Sequence, residues 1–265
     1  MTLFHIVILA IVQGITEILP IGSSGHMVLA SALLGWPDQG PLVDVAVHAG
    51  TLLAVAVYFW RDLWEMLAGA AGAFAGRKSP GLRLLLFLVV ATIPVVVVGY
   101  FGLRYVSTAL RSVEVIAWTT LLFGLLLGIA DRLCMTVRRL EHMNHVGALF
   151  VGVVQVLSLI PGTSRAGVTM TACRLLGMER REAARFSILL SIPAILGAAA
   201  LTGLDVYEAG GLAFRADAAL AAALSFAAAL AVIAFMMRWL THATFMPFVV
   251  YRTILGAGLL YWVYS

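Results

Sequence analysis

The sequence predicts an all-α integral membrane protein, an inverted-topology repeat of six transmembrane helices and two re-entrant helix-loop-helix hairpins in a single membrane domain, residues 1–265. Three observations predict it. The composition is 62% hydrophobic and 11% charged at a mean hydropathy of +1.03, more apolar surface than a water-soluble domain can hide. Six runs are long and apolar enough to cross a hydrocarbon layer about 30 Å thick. Two further apolar stretches are interrupted by turn-forming residues, and irregular backbone at membrane depth survives only where it is buried in protein or lines a wet cavity.

Along the chain, the first broken stretch is 3–35, cut by "PIGSSG" (Pro20 to Gly25). The pieces on either side are too short for two full crossings, so they read as a hairpin. Crossings follow at about 41–60, 83–105 and 112–131. Between the first two, "RDLWEMLAGAAGAFAGRKSPGLR" has the tryptophan and arginine content of an interfacial amphipathic segment. The second broken stretch, 146–176, is cut by "PGTSRAG" (Pro161 to Gly167), and crossings recur at about 183–203, 217–238 and 245–263. Trp239, Tyr261 and Trp262 sit at crossing ends, as in an aromatic belt. The first lysine or arginine is Arg61, so the positive segment of a signal peptide is missing and the N-terminus is expected to belong to the mature fold. Cys134 and Cys173 lack metal-site spacing and are expected to stay reduced.

Each half, about 1–131 and 145–265, then holds one hairpin and three crossings, and the odd number inverts one half relative to the other. "IVQGITEILPIGSS" and "VVQVLSLIPGTSR" share Val-Gln, an apolar helix face, a proline and a serine three residues beyond it, Ser23 and Ser164. "ATIP" (Ala91 to Pro94) and "SIPA" (Ser191 to Ala194) look like a second matched pair. Charge tests the topology separately. One side receives Arg61, Arg77, Lys78, Arg83, Arg132, Arg138, Arg139, Arg174, Arg180, Arg181, Arg185 and Arg238, the other only Arg104, Arg111 and Arg215. The first side is therefore cytoplasmic, with both termini and the first hairpin facing outward. The formal charge of +4 sets orientation in the membrane and does not point to nucleic acid.

Arg165 stands at membrane depth, where an ionisable residue is a functional candidate by default. It follows "PGTS" at the start of a short helix, where free N–H groups favour an anion. With the hydroxyls of Thr163, Ser164 and Thr169, its guanidinium fork suits a phosphate or diphosphate. The bland alternative is an arginine that only neutralises Glu17. Gln13 and Glu17, four apart, share one helix face. The loop after them supplies Ser23, Ser24 and His26, read either as a nucleophile with its base or as helix capping. Asp44 and His48, also four apart, either line the cavity or bond each other in the packed interior, and the structural pair is the favoured reading. Arg252 could reach a second phosphate or pair with Asp44, and the residues alone do not decide.

"QGITEILPIGSSGHMVLASALLG", "DVAVHAGTLLAVAVYFWRDL", "ATIP", "PGTSRAGVTMTACRLLGMERREAARFSILLSIPAILGA" and "YRTILG" together resemble the bacterial undecaprenyl-diphosphate phosphatase family of the bacitracin-resistance type, in order through nearly the whole chain. The resemblance implies removal of the terminal phosphate of a C55 isoprenoid diphosphate, regenerating the lipid monophosphate carrier for cell-wall glycans. It implies a multi-pass protein of the bacterial cytoplasmic membrane with its site open to the outer side. It assigns Glu17 and Gln13 to an acidic motif in which Glu17 holds Mg²⁺ or Ca²⁺, Ser23 to the nucleophile, His26 to acid/base work, and Ser164, Arg165 and Thr169 to a diphosphate cradle. Membrane lipids and a second copy of the chain complete the expected partners. Three positions depart from the common pattern: Gln13 for a frequent glutamate, Gly22 for a serine before Ser23, and Ala166 for a serine after the arginine. One carboxylate fewer weakens the case for the metal. Two mechanisms stay open, attack by Ser23 through a phosphoserine or attack by a water that His26 and Glu17 activate. So does a transporter reading, because inverted repeats with broken helices also build lipid and anion carriers.

Overall fold

A computed structural model describes residues 2–36, 40–110, 112–197 and 216–265, and only the backbone of 24, 28, 31–34, 40–41 and 103–109; the described elements are helices joined by short connections. The first broken stretch forms α1 (Leu3–Ile18) and α2 (Ser23–Leu34). Then come α3 (Gly40–Tyr58), α4 (Trp60–Ala73), α5 (Pro80–Ala109) and α6 (Val113–Leu133). The second broken stretch forms α7 (His145–Gln155), which tightens into a 3-10 turn over Val156–Leu159, and α8 (Arg165–Leu175). The rest is α9 (Arg180–Leu189), α10 (Ala216–Trp239) and α11 (Met246–Tyr264). Among the described residues there is no strand, only an isolated bridge between Arg138 and Met178.

Among the described residues four helical segments are long and apolar enough to cross a membrane, Pro80–Gly102, Val113–Leu133, Ala216–Trp239 and Met246–Tyr264, and α3 with α4 makes up to five. This is a multi-pass, all-α membrane protein. α3 and α4 meet at an 80° bend, and α4 exposes Trp60, Trp64 and Leu67 with the Arg61 guanidinium 5.4 Å from the Trp60 ring centre, the pattern expected of an interfacial segment. At 16 residues α1 is too short to span, as is the apolar segment His145–Leu159.

The expected crossing at 183–203 is not one helix as far as it is described. α9 ends at Leu189, Leu190 is a turn, and helix resumes over 191–197. Pro193 supplies the reason, since it has no N–H to give the Leu189 carbonyl four residues back. Residues 198–203 lie outside those described. The ATIP and SIPA segments also fall in non-equivalent places: Pro94 lies inside the continuous α5, whereas Pro193 follows a break in the first apolar run after the second hairpin.

Packing crosses between the halves. α10 packs against both α1 and α3, and α7 packs against α5. A β-carbon at Gly14 would lie 2.6 Å from the Ser225 carbonyl oxygen, and one at Gly152 2.5 Å from that of Ala91. α6 pairs with α11, where a β-carbon at Gly128 would lie 2.9 Å from Val249 and one at Gly256 2.8 Å from Leu121. Lipid tails are as apolar as leucine, so such close approaches supply the van der Waals contact that holds helices together in a bilayer. Met170, Phe186, Leu189 and Phe245 are fully buried around α8 and α9, while Leu122, Leu125, Leu126 and Ile129 of α6 are exposed as a stripe for lipid to cover.

The two ends of the molecule differ in charge. At one end Asp131 of α6 accepts from Arg174 (3.2 Å) and Arg180 (2.7 Å) on one oxygen and from the Phe245 N–H (3.1 Å) on the other. Arg139 pairs with Glu179, Arg185 with Asp62, and Arg83 donates to the Glu141 and Met143 carbonyls. At the other end Tyr264, near the C-terminus, donates to Glu114 at the start of α6, and His5 lies 4.6 Å from Trp36, centre to centre. Of the basic residues assigned to that end, Arg111 and Arg215 and the Arg104 side chain lie outside the described residues.

Candidate active site

Both breaks use the same backbone device. α1 stops at Leu19, which is extended (φ −74°, ψ 149°), and the chain passes Pro20 and Ile21 to Gly22, the N-cap of α2, at φ 92°, ψ 98°. After the 3-10 turn the second chain passes Pro161 and Gly162 to Ser164, the N-cap of α8, at φ 70°, ψ 109°. Ser164 is the one non-glycine residue with positive φ among those described, a conformation that costs roughly 1–3 kcal/mol. Its hydroxyl offsets part of that by accepting from the Gly167 N–H at 3.1 Å. The loops touch: a β-carbon at Gly22 would lie 3.4 Å from the Gly162 carbonyl oxygen and 3.5 Å from the Ser164 β-carbon.

Where they meet, Glu17 organises the side chains. Its Oε1 accepts from Arg165 Nη2 at 2.6 Å, and its Oε2 accepts from Ser23 Oγ at 2.5 Å and Gln13 Nε2 at 3.1 Å. Acid and guanidinium come from opposite hairpins and are nearly buried, at 8% and 16% side-chain exposure. Gln13 Nε2 also lies 3.2 Å from His48 Nε2, and His48 Nδ1 lies 2.7 Å from the Asp44 carbonyl oxygen. A carbonyl only accepts, so Nδ1 carries the proton and Nε2 accepts from the Gln13 amide. The shared face expected for Gln13 and Glu17 is present. His48, for which the sequence favours a structural pairing with Asp44 over lining the cavity, meets the Asp44 backbone and is tied to the site as well.

On the second hairpin, Arg165 Nη1 and Thr163 Oγ1 are buried with no hydrogen-bond partner among the described residues. Two donors beside the N-terminus of α8 suit an anion. Not every predicted cradle residue joins them. Thr169 is fully buried and donates to its own helix at the Arg165 carbonyl, 2.8 Å away, because a helical threonine readily bonds back one turn. The Ser164 hydroxyl oxygen accepts the Gly167 N–H as a cap, which leaves its O–H able to donate. The side chain of Ser24 lies outside the described residues.

His26 turns away from Ser23. Its Nδ1 donates to the Gly22 carbonyl at 2.5 Å and its Nε2 meets the Tyr251 hydroxyl at 2.6 Å, with the rings stacked 5.8 Å apart at 9°. Ser23 therefore faces a carboxylate rather than an imidazole. Tyr251 escaped the sequence reading, its only mark being its place before Arg252. Arg252 is fully buried. Its guanidinium donates to the carbonyls of Pro20, Thr119, Thr120, Gly162 and Thr163 rather than to Asp44. Among the described residues no group of three His, Cys, Asp or Glu side chains is placed to hold a metal ion.

Residues 6–258 match the model of the family described as bacitracin resistance protein BacA. Undecaprenyl-diphosphatase 1 of Rhodospirillum rubrum is 51% identical over 270 residues, covering 98% of this chain and 95% of that protein. The undecaprenyl-diphosphatase of Ruegeria pomeroyi is 48% identical over 270 residues, the full length of both, and that of Alcanivorax borkumensis is 48% identical over 261 residues, 98% of each.

Proposed function

The chain belongs to the bacitracin resistance protein BacA family, and from that premise we infer that it is an undecaprenyl-diphosphatase. It hydrolyses undecaprenyl diphosphate to undecaprenyl phosphate and inorganic phosphate, returning the lipid carrier to peptidoglycan and other cell-wall glycan synthesis. The observation that carries the reading is the meeting of Ser23, Glu17 and Arg165 across two broken helices, with Arg165 Nη1 and Thr163 Oγ1 beside them unpartnered among the described residues. Hydrolysis of a diphosphate asks for negative charge to be held and a nucleophile to be aligned, which is mostly positioning and electrostatics. Release of phosphate from a polyprenyl diphosphate by the purified protein in detergent tests it. A carrier releases none there, and no observation of the site favours the carrier.

In the proposed reaction Arg165, Thr163 and the N-terminus of α8 hold the terminal phosphate. Its charge draws Arg165 from Glu17, leaving the carboxylate to Ser23. Ser23 Oγ gives its proton to Glu17 and attacks the terminal phosphorus, and the bond to the lipid phosphate breaks, releasing undecaprenyl phosphate. Water then hydrolyses the phosphoserine to inorganic phosphate. The 2.5 Å Ser23–Glu17 hydrogen bond supports this order over direct attack by water, and rapid-quench trapping of phosphorylated Ser23 tests it. His26, with Tyr251, is assigned acid/base work at the edge of the site. Mg²⁺ or Ca²⁺ fits the donor set only as an ion shared with substrate: Glu17, with Gln13 beside it, would hold it, and the diphosphate oxygens would complete its shell. Such an ion would supply neutralisation of phosphate charge, and loss of activity on chelation with recovery on adding back the ion is the check.

The inverted repeat, halves about 1–131 and 145–265, belongs to the same proposal. It is supported by the matching N-caps at Gly22 and Ser164 and by the reciprocal packing of α1 on α10 and α7 on α5. On this reading each half supplies three crossings, and the arginine-rich end supports a place in the bacterial cytoplasmic membrane with both termini and the site opening outward. Impermeant labelling of cysteines placed at Ser265 and Arg181 in intact cells should modify the first and spare the second.

A further inference from the structure

We propose that Arg252 is the positioning residue that sets the spacing of the two hairpin loops, through the geometry of its guanidinium fork rather than through its charge. A helix that breaks inside a membrane leaves carbonyls without intrahelical partners, and each is expensive in hydrocarbon. Arg252 collects them from both breaks. Nη1 donates to Pro20 at 3.3 Å in the first loop, and Nη2 donates to Gly162 at 3.1 Å and Thr163 at 2.9 Å in the second. Nε and Nη2 anchor the same fork to α6 at the Thr120 carbonyl, 3.1 Å away, and the Thr119 carbonyl, 3.4 Å away. The Thr119 hydroxyl adds a bond to the Pro161 carbonyl at 2.7 Å.

Room for the fork is built into the packing. A β-carbon at Gly124 would lie 2.7 Å from Arg252 Cβ, and one at Gly167 would lie 2.7 Å from Nη1. Among the described residues no carboxylate pairs with Arg252, so carbonyl dipoles carry the compensation for a fully buried cation. Pro20 lies three residues after Glu17, and Thr163 two before Arg165. Displacing either carbonyl shifts one partner of the pair that aligns Ser23. A lysine ammonium is a point charge and cannot span both loops and α6.

The inference rests on reading Glu17, Ser23 and Arg165 as the reacting set. The test uses full-length protein in detergent carrying Arg252→Lys, Arg252→Met or Gly124→Ala, with Arg165→Ala as a control, and measures melting, kcat and KM for a polyprenyl diphosphate. Misplacement by about 1 Å costs on the order of 10²-fold, so folded Arg252→Lys and Arg252→Met should both lose about that much kcat. KM should stay within about threefold, the mark of an interaction that matters only in the transition state. Gly124→Ala, which presses on Arg252 without touching the site, should lose kcat in the same sense. A lysine variant with wild-type kcat would make charge sufficient and overturn the proposal. A rise confined to KM would make Arg252 a substrate ligand, and failure of all three variants to fold would make it a folding residue; both overturn it. Full activity in the Arg165→Ala control would instead sink the reading of the site, separately from Arg252.

Discussion

The two hairpins are alike in backbone and opposite in chemistry. Both turn through a residue of positive φ into a helix, Gly22 at φ 92° and Ser164 at φ 70°, and both place a glycine three residues later, Gly25 and Gly167. Aligned on their helix starts, Ser23 corresponds to Arg165. The serine proposed to attack and the guanidinium proposed to hold the phosphate thus occupy the same position of two matched helices. Glu17 joins them, accepting from each. Two similar turns bring two helix N-termini together, and the different residues they carry, Ser23 and Arg165 among them, make the pair complementary.

Removing the second hairpin's half of that pair should have the largest effect. Arg165→Ala should lower phosphate release on the order of 10³-fold or more in a protein that still folds, and Arg165→Lys should be nearly as poor because an ammonium has no fork. Near-wild-type turnover in either would dissolve the composite site. Removing the first hairpin's half, Ser23→Ala, should cost at least about 10²-fold and abolish any trapped phosphoenzyme; turnover that survives intact would hand the attack to water. Tyr251→Phe, which takes only the hydroxyl from His26, should cost about 10-fold and add nothing once His26 is alanine, whereas additive losses would separate the two rings.

The N-caps give a finer contrast. Gly22→Ala forces a side chain into a positive φ and should lower stability by roughly 1–3 kcal/mol. Ser164→Gly relieves that strain while losing the cap on Gly167, so its net change should stay within about 1 kcal/mol, read as a small shift in melting temperature beside a large one. The smallest effect is expected at Thr169→Val, whose lost hydroxyl bonds only its own helix; activity within about twofold of wild type is expected, and a large loss would return Thr169 to the phosphate cradle.

Much of this site was legible before any coordinates. The turn residues located both breaks, the spacing of Gln13 and Glu17 put them on one face, and an arginine at a helix start in oil signalled an anion. Periodicity reports which face of its own helix a side chain occupies, but not which partner it finds. Hence Thr169 and His26 were placed in the site, yet one bonds back to Arg165 and the other reaches Tyr251, far along the chain. The prolines aligned Ser23 with Ser164, whereas the N-caps align Gly22 with Ser164, because the second loop reaches its cap one residue later. One crossing was drawn through Pro193, where hydropathy stays high although a backbone donor is missing.

Arg252 sits on α11, which is synthesised after both hairpins. When the first hairpin enters the membrane, Glu17 still awaits its guanidinium and the Pro20 carbonyl its donor, and α1 awaits α10. The second hairpin brings Arg165 but leaves the carbonyls of Gly162 and Thr163 to α11. Insertion order and assembly order therefore run apart. A chain truncated before α11 carries Glu17, Ser23, Thr163 and Arg165 and lacks the fork that ties both loops to α6, so the site is completed only once α11 has been made.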